Sequence, residues 1–208
     1  MRKTRKISSS NPTYAVVGDG ECEAWYVNML KRNERSIRVS IKPELQQKKS
    51  LSQQYEMVCD LSKSYDKVFW IIDLDAILLE TRQHTNPVNK TALQQFEAYK
   101  KEFKPEQSKV KIIVNNPCLE FWFLLHFEST NKYFDNCDKA GTQLKKYLAD
   151  YKKSQKYFTQ NNNDIYLKLK PNLGNAITNA ERYDQTGLDL SSTSISQMYL
   201  LFQELGIS

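Results

Sequence analysis

Residues 68–75 read VFWIIDLD, five consecutive apolar residues followed at once by a D-x-D pattern. An uninterrupted apolar run of this kind is typical of a strand buried on both faces, as in a parallel sheet covered by helices. YAVVG at residues 14–18 and KVKIIV at residues 109–114 have the same character, and IRVSI at residues 37–41 alternates like a strand before Pro43. These segments predict four strands.

Segments with helical spacing lie between the predicted strands. A helix is predicted to follow Gly20, a second to span residues 50–64 with Ser50 or Ser52 as its N-cap, and a crossover helix to span residues 90–103. The order β-α-β-α-β-α-β over residues 14–115 predicts an α/β fold, with a parallel sheet flanked by helices and joined by right-handed crossovers.

The chain after Pro117 has a helical pattern instead. Helices are predicted at residues 118–127, about 138–153, 172–183 and 193–205, with a polar loop at 159–164. We therefore divide the chain into a flexible basic arm (1–13), an α/β core (14–127) and a helical C-terminal extension packed on that core (128–208).

Composition sets limits on the class of protein. The chain has 208 residues, 40% of them hydrophobic, which suits one domain with a real core. It contains neither an apolar run of the roughly 20 residues that span a bilayer nor an apolar stretch after its basic N-terminus, so we predict no membrane span and no secretory signal. Its four cysteines are dispersed without a CxxC pair, which excludes a zinc ribbon, predicts no disulfide framework and favours the cytoplasm. Of these, we expect Cys22 and Cys118 to be small buried side chains.

The formal net charge of +6 is concentrated at the N-terminus. Arg2, Lys3, Arg5 and Lys6 account for four positive charges, so the rest of the chain carries only +2. Such an arm either binds nucleic-acid phosphates or is a solvated terminus.

Acidic residues follow two of the predicted strands. Asp73 and Asp75 come directly after the VFWII run, and Glu23 follows the YAVVG run, close to Asp19 and Glu21. Because the carboxyl ends of parallel strands meet at one edge of a sheet, we expect these side chains to lie close together. A cluster of carboxylates suits Mg²⁺ or Mn²⁺, which prefer oxygen ligands. Taken singly, each residue fits a turn or a helix N-terminus equally well.

The segment NNPCLEFWFLLHF, residues 115–127, provides a further candidate. It is predicted to be a buried helix after a turn, so Glu120 requires either a metal or a salt bridge to a basic residue. His126 is expected to be a hydrogen-bonded core residue. Asn116, in the turn, and Gly20, in a glycine turn typical of phosphate binding, are the candidate substrate-binding residues.

The C-terminal half contains lysines next to tyrosines. This pattern suits either single-stranded nucleic acid, through charge and stacking, or a solvated helix face whose tyrosines pack inward. The residues concerned are Lys145, Lys146, Lys152, Lys153, Lys156, Tyr147, Tyr151 and Tyr157.

The order of VVGDGECEAWY (16–26), VFWIIDLD and NNPCLEFWFLLHF resembles the RloB family, whose members are encoded near restriction-modification and phage-defence loci and are similar to Toprim domains. The resemblance covers residues 14–127 well and continues more loosely into residues 174–183 and the last helix. The third segment is its most specific part.

The resemblance implies a Toprim-like catalytic core. Glu23 matches the catalytic glutamate, Asp73 and Asp75 match the metal-binding D-x-D, and Glu120 matches the family's acidic residue after NPC. Ile77 stands where topoisomerase-like Toprim domains have another acidic residue, which argues against a topoisomerase.

Related Toprim-like effectors are nucleases, some of which act on tRNA, and they are often partnered with an ATPase that senses infection. The resemblance therefore implies a magnesium- or manganese-dependent nuclease that serves as a toxic effector in anti-phage defence, with tRNA preferred slightly over DNA and an ATPase as partner. Two rivals remain at this point. One is a non-catalytic module that binds nucleic acid or the ATPase, and the other is a hydrolase of small phosphate esters.

Overall fold

The fold is built on a five-stranded sheet. The structure is a computed structural model, which describes residues 12–18, 20–37, 39–42, 49–103, 108–184 and 192–207. The strands in chain order are β1 (Tyr14–Val17), β2 (Val39–Lys42), β3 (Lys67–Asp73), β4 (Val110–Asn116) and β5 (Ile195–Ser196). Their spatial order is β2-β1-β3-β4-β5. The first four pair in parallel, and β5 pairs antiparallel with the end of β4. The predicted α/β class with a parallel sheet is confirmed.

Helices surround this sheet. Those in the first half of the chain are α1 (Glu21–Asn33), α2 (Leu51–Ser64), α3 (Leu74–Gln83), α4 (Ala92–Glu102) and α5 (Leu119–Leu125). Those in the second half are α6 (Cys137–Leu144), α7 (Gln155–Phe158), α8 (Ile165–Leu169), a 3₁₀ turn (Lys170–Asn172), α9 (Leu173–Tyr183) and α10 (Tyr199–Leu205). Ser50 caps α2, because its hydroxyl accepts the Gln53 N–H at 3.3 Å. None of the helices in the described part of the chain is long and apolar enough to cross a membrane.

The central strand β3 is buried on both faces, which is why its sequence is continuously apolar. Phe69 and Ile71 face one hydrophobic cluster, which contains residues of α1 and α5. Val68, Trp70 and Ile72 face a second cluster, which contains residues of α2, α3 and α4. The sheet thus separates two apolar layers.

The C-terminal helices belong to the first of these layers. Phe134, Leu144, Phe158 and Phe202 lie in the same cluster as Phe69 of the central strand. The described residues at 128–184 and 192–207 therefore share one hydrophobic core with the α/β part of the chain.

The structure differs from the sequence prediction in several helices. The predicted helix at 138–153 ends at Leu144, where turns carry the chain back toward α5 and bury the side chain of Tyr151. The predicted helix at 193–205 starts only at Tyr199, because residues 195 and 196 pair with β4. The short helices α3, α7 and α8 were not predicted. The basic arm lies outside the described residues up to position 11.

Candidate functional site

The carboxyl ends of three neighbouring strands position the predicted acidic residues. β1, β3 and β4 lie side by side in parallel, so the segments that follow them emerge at the same edge of the sheet. Glu23 lies in the first turn of α1, after β1, and Asp73 and Asp75 lie at the junction of β3 with α3. Glu120 lies in the first turn of α5, after β4.

Glu23 is held in place by the glycine turn before it. Its side chain is only 4% exposed, and its Oε2 accepts the Gly20 N–H at 2.8 Å. A Cβ atom at Gly18 would come within 2.7 Å of the Glu23 Cβ, so only glycine allows this close approach. Gly20 is exposed at the helix N-terminus, and its N–H orients Glu23. Asp19 lies outside the described residues.

Asp73 and Asp75 connect the end of β3 to the neighbouring elements. Asp73 Oδ1 accepts the Asn115 side-chain amide at 3.2 Å, and its Oδ2 accepts the Leu119 N–H at 3.4 Å. Asp75 Oδ2 accepts the Cys137 N–H at 3.2 Å. Both aspartates are half-buried, so they keep access to solvent while their orientations are fixed by α5 and α6.

Glu120 is buried and lies next to a lysine. Its Oε1 accepts the Tyr151 hydroxyl at 2.6 Å and pairs with Lys153 Nζ at 2.9 Å. The salt bridge that the sequence allowed for Glu120 is therefore present, while its role as a metal ligand stays a prediction. Burial lowers the pKa of Lys153, but the Glu120 carboxylate and its neighbours outweigh this and raise the pKa overall, so the lysine is a cation at neutral pH. Burial and the same carboxylate raise the pKa of Tyr151.

The cysteines differ from the sequence prediction. Cys118 and Cys137, which are 19 residues apart, form a disulfide next to Glu120, although the sequence contains no CxxC pattern that would indicate one. The prediction of no disulfide is therefore wrong for this pair. Cys22 and Cys59 are free and half-buried. Burial, followed by Glu23 and Glu120, raises the pKa of the Cys22 thiol.

These carboxylates act on common neighbours. Glu23, Asp73 and Glu120 all contribute to the electrostatic environment of the Cys22 thiol, together with Lys153. Glu23, Asp73 and Glu120 therefore lie in one region, and Asp75 adjoins it through Cys137, whose Sγ is 2.8 Å from Glu120 Oε2. Asn116 is the exception among the candidates, because its buried amide donates to the Thr193 carbonyl at 2.7 Å and so anchors the segment before β5.

Sequence reasoning treated Tyr151 and Lys153 only as part of a general lysine-tyrosine pattern. Tyr151 and Tyr157 are buried, while Tyr147 is 45% exposed and stacks on Phe127 with ring centroids 5.2 Å apart. Of the two alternatives for this segment, inward packing holds for the two buried tyrosines. The signal that could have identified Lys153 is its position two residues after Tyr151, together with the expectation that a buried Glu120 pairs with a basic residue.

A family model described as RloB-like protein matches residues 14–205. The chain belongs to the RloB-like family. The match includes the C-terminal helices, in agreement with the hydrophobic core that they share with the sheet. A search of curated proteins and a search of solved structures each found no match.

The donor set of the site determines which metal it suits. One group of candidate ligand atoms in the described residues joins an Asp75 carboxylate oxygen to the Cys118 and Cys137 sulfurs, all within 4.8 Å of one another. Because these sulfurs are bonded to each other, they are not available as thiolates. Asp75 is then the one ligand left in this group, and within the described residues Glu23, Asp73 and Glu120 do not join it at this spacing. Their carboxylate oxygens are nevertheless the type of donor that suits a hard cation such as Mg²⁺ or Mn²⁺.

Proposed function

We propose that this RloB-like protein is a metal-dependent nuclease that hydrolyses phosphodiester bonds. The observation that supports the proposal is that Glu23, Asp73, Asp75 and Glu120 all follow parallel strands that end at the same edge of the sheet. Carboxylates at close range repel one another unless a cation offsets their charge. Asp73, Asp75 and Glu120 are the residues that would hold Mg²⁺ or Mn²⁺, and such an ion polarises a phosphodiester and stabilises the charge that develops during attack.

Glu23 is the proposed general base. It is buried, its Oε2 is fixed by the Gly20 N–H at 2.8 Å, and the close approach of Gly18 restricts its movement. A carboxylate held in this way can accept the proton of an attacking water once substrate excludes solvent. In the proposed mechanism, Lys153 supplies positive charge for a phosphate oxygen, and Glu120 and Tyr151 determine its position.

A polymeric, negatively charged substrate fits the surface next to Lys153. The lysines of the segment that delivers Lys153 to the site have exposed side chains, which suit contacts to successive phosphates. They are Lys145, Lys146, Lys152 and Lys156. The preference for RNA, and for tRNA in particular, over DNA rests on the family resemblance alone.

The test is cleavage of labelled tRNA and of plasmid DNA with Mg²⁺, with Mn²⁺ and with EDTA. We expect cutting that requires the metal and is lost in Glu23→Gln and in Asp73→Asn. Asp60→Asn is a matched control, because Asp60 is an exposed aspartate on α2 that pairs only with nearby Lys63 in the described structure. Cutting in EDTA, or full activity in both site variants, would refute the assignment.

For the biological role we propose a toxic effector in anti-phage defence, partnered with an ATPase that senses infection. Both parts rest on the family resemblance. The test is growth arrest on expression, which Asp75→Asn should abolish. Growth arrest that persists unchanged in Asp75→Asn would point to a non-catalytic module that binds nucleic acid or the ATPase.

A further inference from the structure

The Cys118–Cys137 disulfide joins two elements that also hold the proposed metal ligands. Cys118 is the N-cap of α5, two residues before Glu120, and is buried. Cys137 is the first residue of α6, and its N–H donates to Asp75 Oδ2 at 3.2 Å. The bond therefore connects the segments that position Glu120 and Asp75.

Both sulfurs lie against the same carboxylate oxygen. Glu120 Oε2 is 3.0 Å from Cys118 Sγ and 2.8 Å from Cys137 Sγ. A disulfide has no proton to donate, whereas reduction gives two thiols next to this oxygen, each of which can donate an S–H hydrogen bond to the carboxylate. The oxidation state of the pair thus changes the number of donors that Glu120 Oε2 accepts.

Cys137 is the sulfur that a small thiol can reach. It is half-buried, whereas Cys118 is 1% exposed. Lys153 Nζ lies 3.0 Å from Cys137 Sγ, and the sulfur is at the N-terminus of the eight-residue helix α6. A nearby cation and a helix N-terminus both stabilise the negative charge that a sulfur carries during thiol–disulfide exchange.

We propose that Cys118 and Cys137 form a reversible redox pair that sets the metal affinity of the adjacent carboxylates. The consequence for metal binding rests on the proposed function, while the redox chemistry does not. In the opening reaction, the thiolate of a glutathione-type thiol attacks Cys137 Sγ, the S–S bond breaks, and Cys118 leaves as a thiolate that takes up a proton. A second small thiol attacks the mixed disulfide, which yields the Cys137 thiol and a small-molecule disulfide. Two electrons pass from the small thiols to the protein.

The direction of the effect follows from the contacts of Glu120. In the reduced form, two S–H groups compete with a cation for Oε2. In the oxidised form they cannot donate, and the disulfide also keeps the N-terminus of α6 on Asp75. We therefore expect the reduced protein to bind Mn²⁺ about tenfold more weakly than the oxidised protein, because the cation must displace weak S–H donors from Glu120 Oε2 before it binds.

The experiment equilibrates the full chain in mixtures of reduced and oxidised glutathione, followed by acid quenching, alkylation under denaturing conditions and peptide mass spectrometry. We expect Cys118 and Cys137 to become alkylated together as the mixture becomes more reducing, while Cys22 and Cys59 are alkylated throughout. Mn²⁺ affinity, measured by the electron paramagnetic resonance of free Mn²⁺, should shift with the same midpoint.

Two variants test the coupling between the cysteine pair and metal binding, and a third serves as the control. Cys137→Ser and Cys118→Ser, each checked for folding by circular dichroism, should bind Mn²⁺ with an affinity that no longer depends on the glutathione mixture. Because either substitution breaks the pair, the test survives if one of the two variants fails to fold. Cys59→Ser removes a free cysteine on α2 and should respond as the wild type does.

Several outcomes would overturn the proposal. These are a pair that stays oxidised or stays reduced in every mixture, a pair that opens without changing Mn²⁺ affinity, and copurifying Zn²⁺ that protects both thiols. If neither form binds Mn²⁺, the metal site of the proposed function fails and the coupling fails with it, whereas the alkylation data still decide whether the pair is reversible.

Discussion

His126 provides the clearest link between the structure and a measurable pH dependence. Its ring lies just after α5, 1% exposed, packed edge-on against Trp122 with centroids 4.9 Å apart. Nδ1 lies 3.0 Å from the Trp122 carbonyl, and Nε2 has no hydrogen-bond partner within the described structure. Burial disfavours the imidazolium and outweighs the two backbone contacts that favour it, which lowers the pKa of His126 from 6.5 to about 4.

The sign and size of the effect follow from proton linkage. An unfolded chain exposes the histidine, whose pKa then returns to about 6.5. Between pH 6.5 and 4 the unfolded state binds a proton that the folded state excludes, so the free energy of unfolding falls as the pH falls through this window. The full difference is worth about 3 kcal/mol, of which about 2 kcal/mol is lost by pH 5. Above pH 7 both states hold a neutral ring and the effect vanishes.

The perturbation is His126→Gln, which keeps a side-chain N–H donor but does not titrate in this range. The chain has two histidines, so His84→Gln is a matched control on the loop after α3. Urea unfolding at pH 7.5 and pH 5.0 gives the free energy of unfolding of each protein. Between these values we expect the wild type and His84→Gln to lose about 2 kcal/mol more than His126→Gln. Equal losses in wild type and His126→Gln would refute the assignment of a buried neutral ring.

The other predictions concern the site. Lys153→Met should lower the free energy of unfolding by about 2 to 3 kcal/mol in urea titrations, because it leaves the buried Glu120 carboxylate without its ion pair, and Lys153→Arg should recover part of the loss. Gly18→Ala should cost about 1 to 3 kcal/mol and lower the Tm by calorimetry, because its Cβ would lie 2.7 Å from the Cβ of Glu23. An unchanged Tm would contradict the close approach. Adding Mn²⁺ should raise the Tm of the wild type, EDTA should reverse the rise, and Asp73→Asn should respond to neither.

The parts of the fold that sequence predicted are those whose pattern is local. Strand β3 is apolar at every position from 68 to 72 because both of its faces pack against helices, and this leaves an unmistakable run. The sequence offered Ser50 or Ser52 as the N-cap of α2, and Ser50 is the one whose side chain accepts a backbone N–H three residues on. The acidic residues at Asp73 and Asp75 were placed by the rule that parallel strands end at one edge.

The parts that sequence did not predict depend on contacts between distant segments. The helix at α6 ends at Leu144, so that Tyr151 can turn inward to Glu120, 31 residues earlier in the chain. The partner of Cys118 is 19 residues away, and no spacing rule selects it from the other cysteines. Two residues of β5 are too few for a recognisable alternation. In each case the structure depends on a contact between distant segments, and no local sequence pattern indicates that contact.

The charge of the site gives a physical reason for the cation requirement that we propose. Lys153 offsets the charge of Glu120, the carboxylate that it contacts, yet a phosphodiester would bring a further negative charge to an edge that also holds Glu23, Asp73 and Asp75. Coulomb repulsion at such short range is not overcome by lysines on the surrounding surface, whose attraction is screened within about 10 Å at 0.1 M salt. The metal and the surface lysines therefore have separable roles in the proposed nuclease. Chelation should abolish productive placement of the scissile phosphate, whereas raised salt should weaken overall binding to nucleic acid and leave the metal requirement intact.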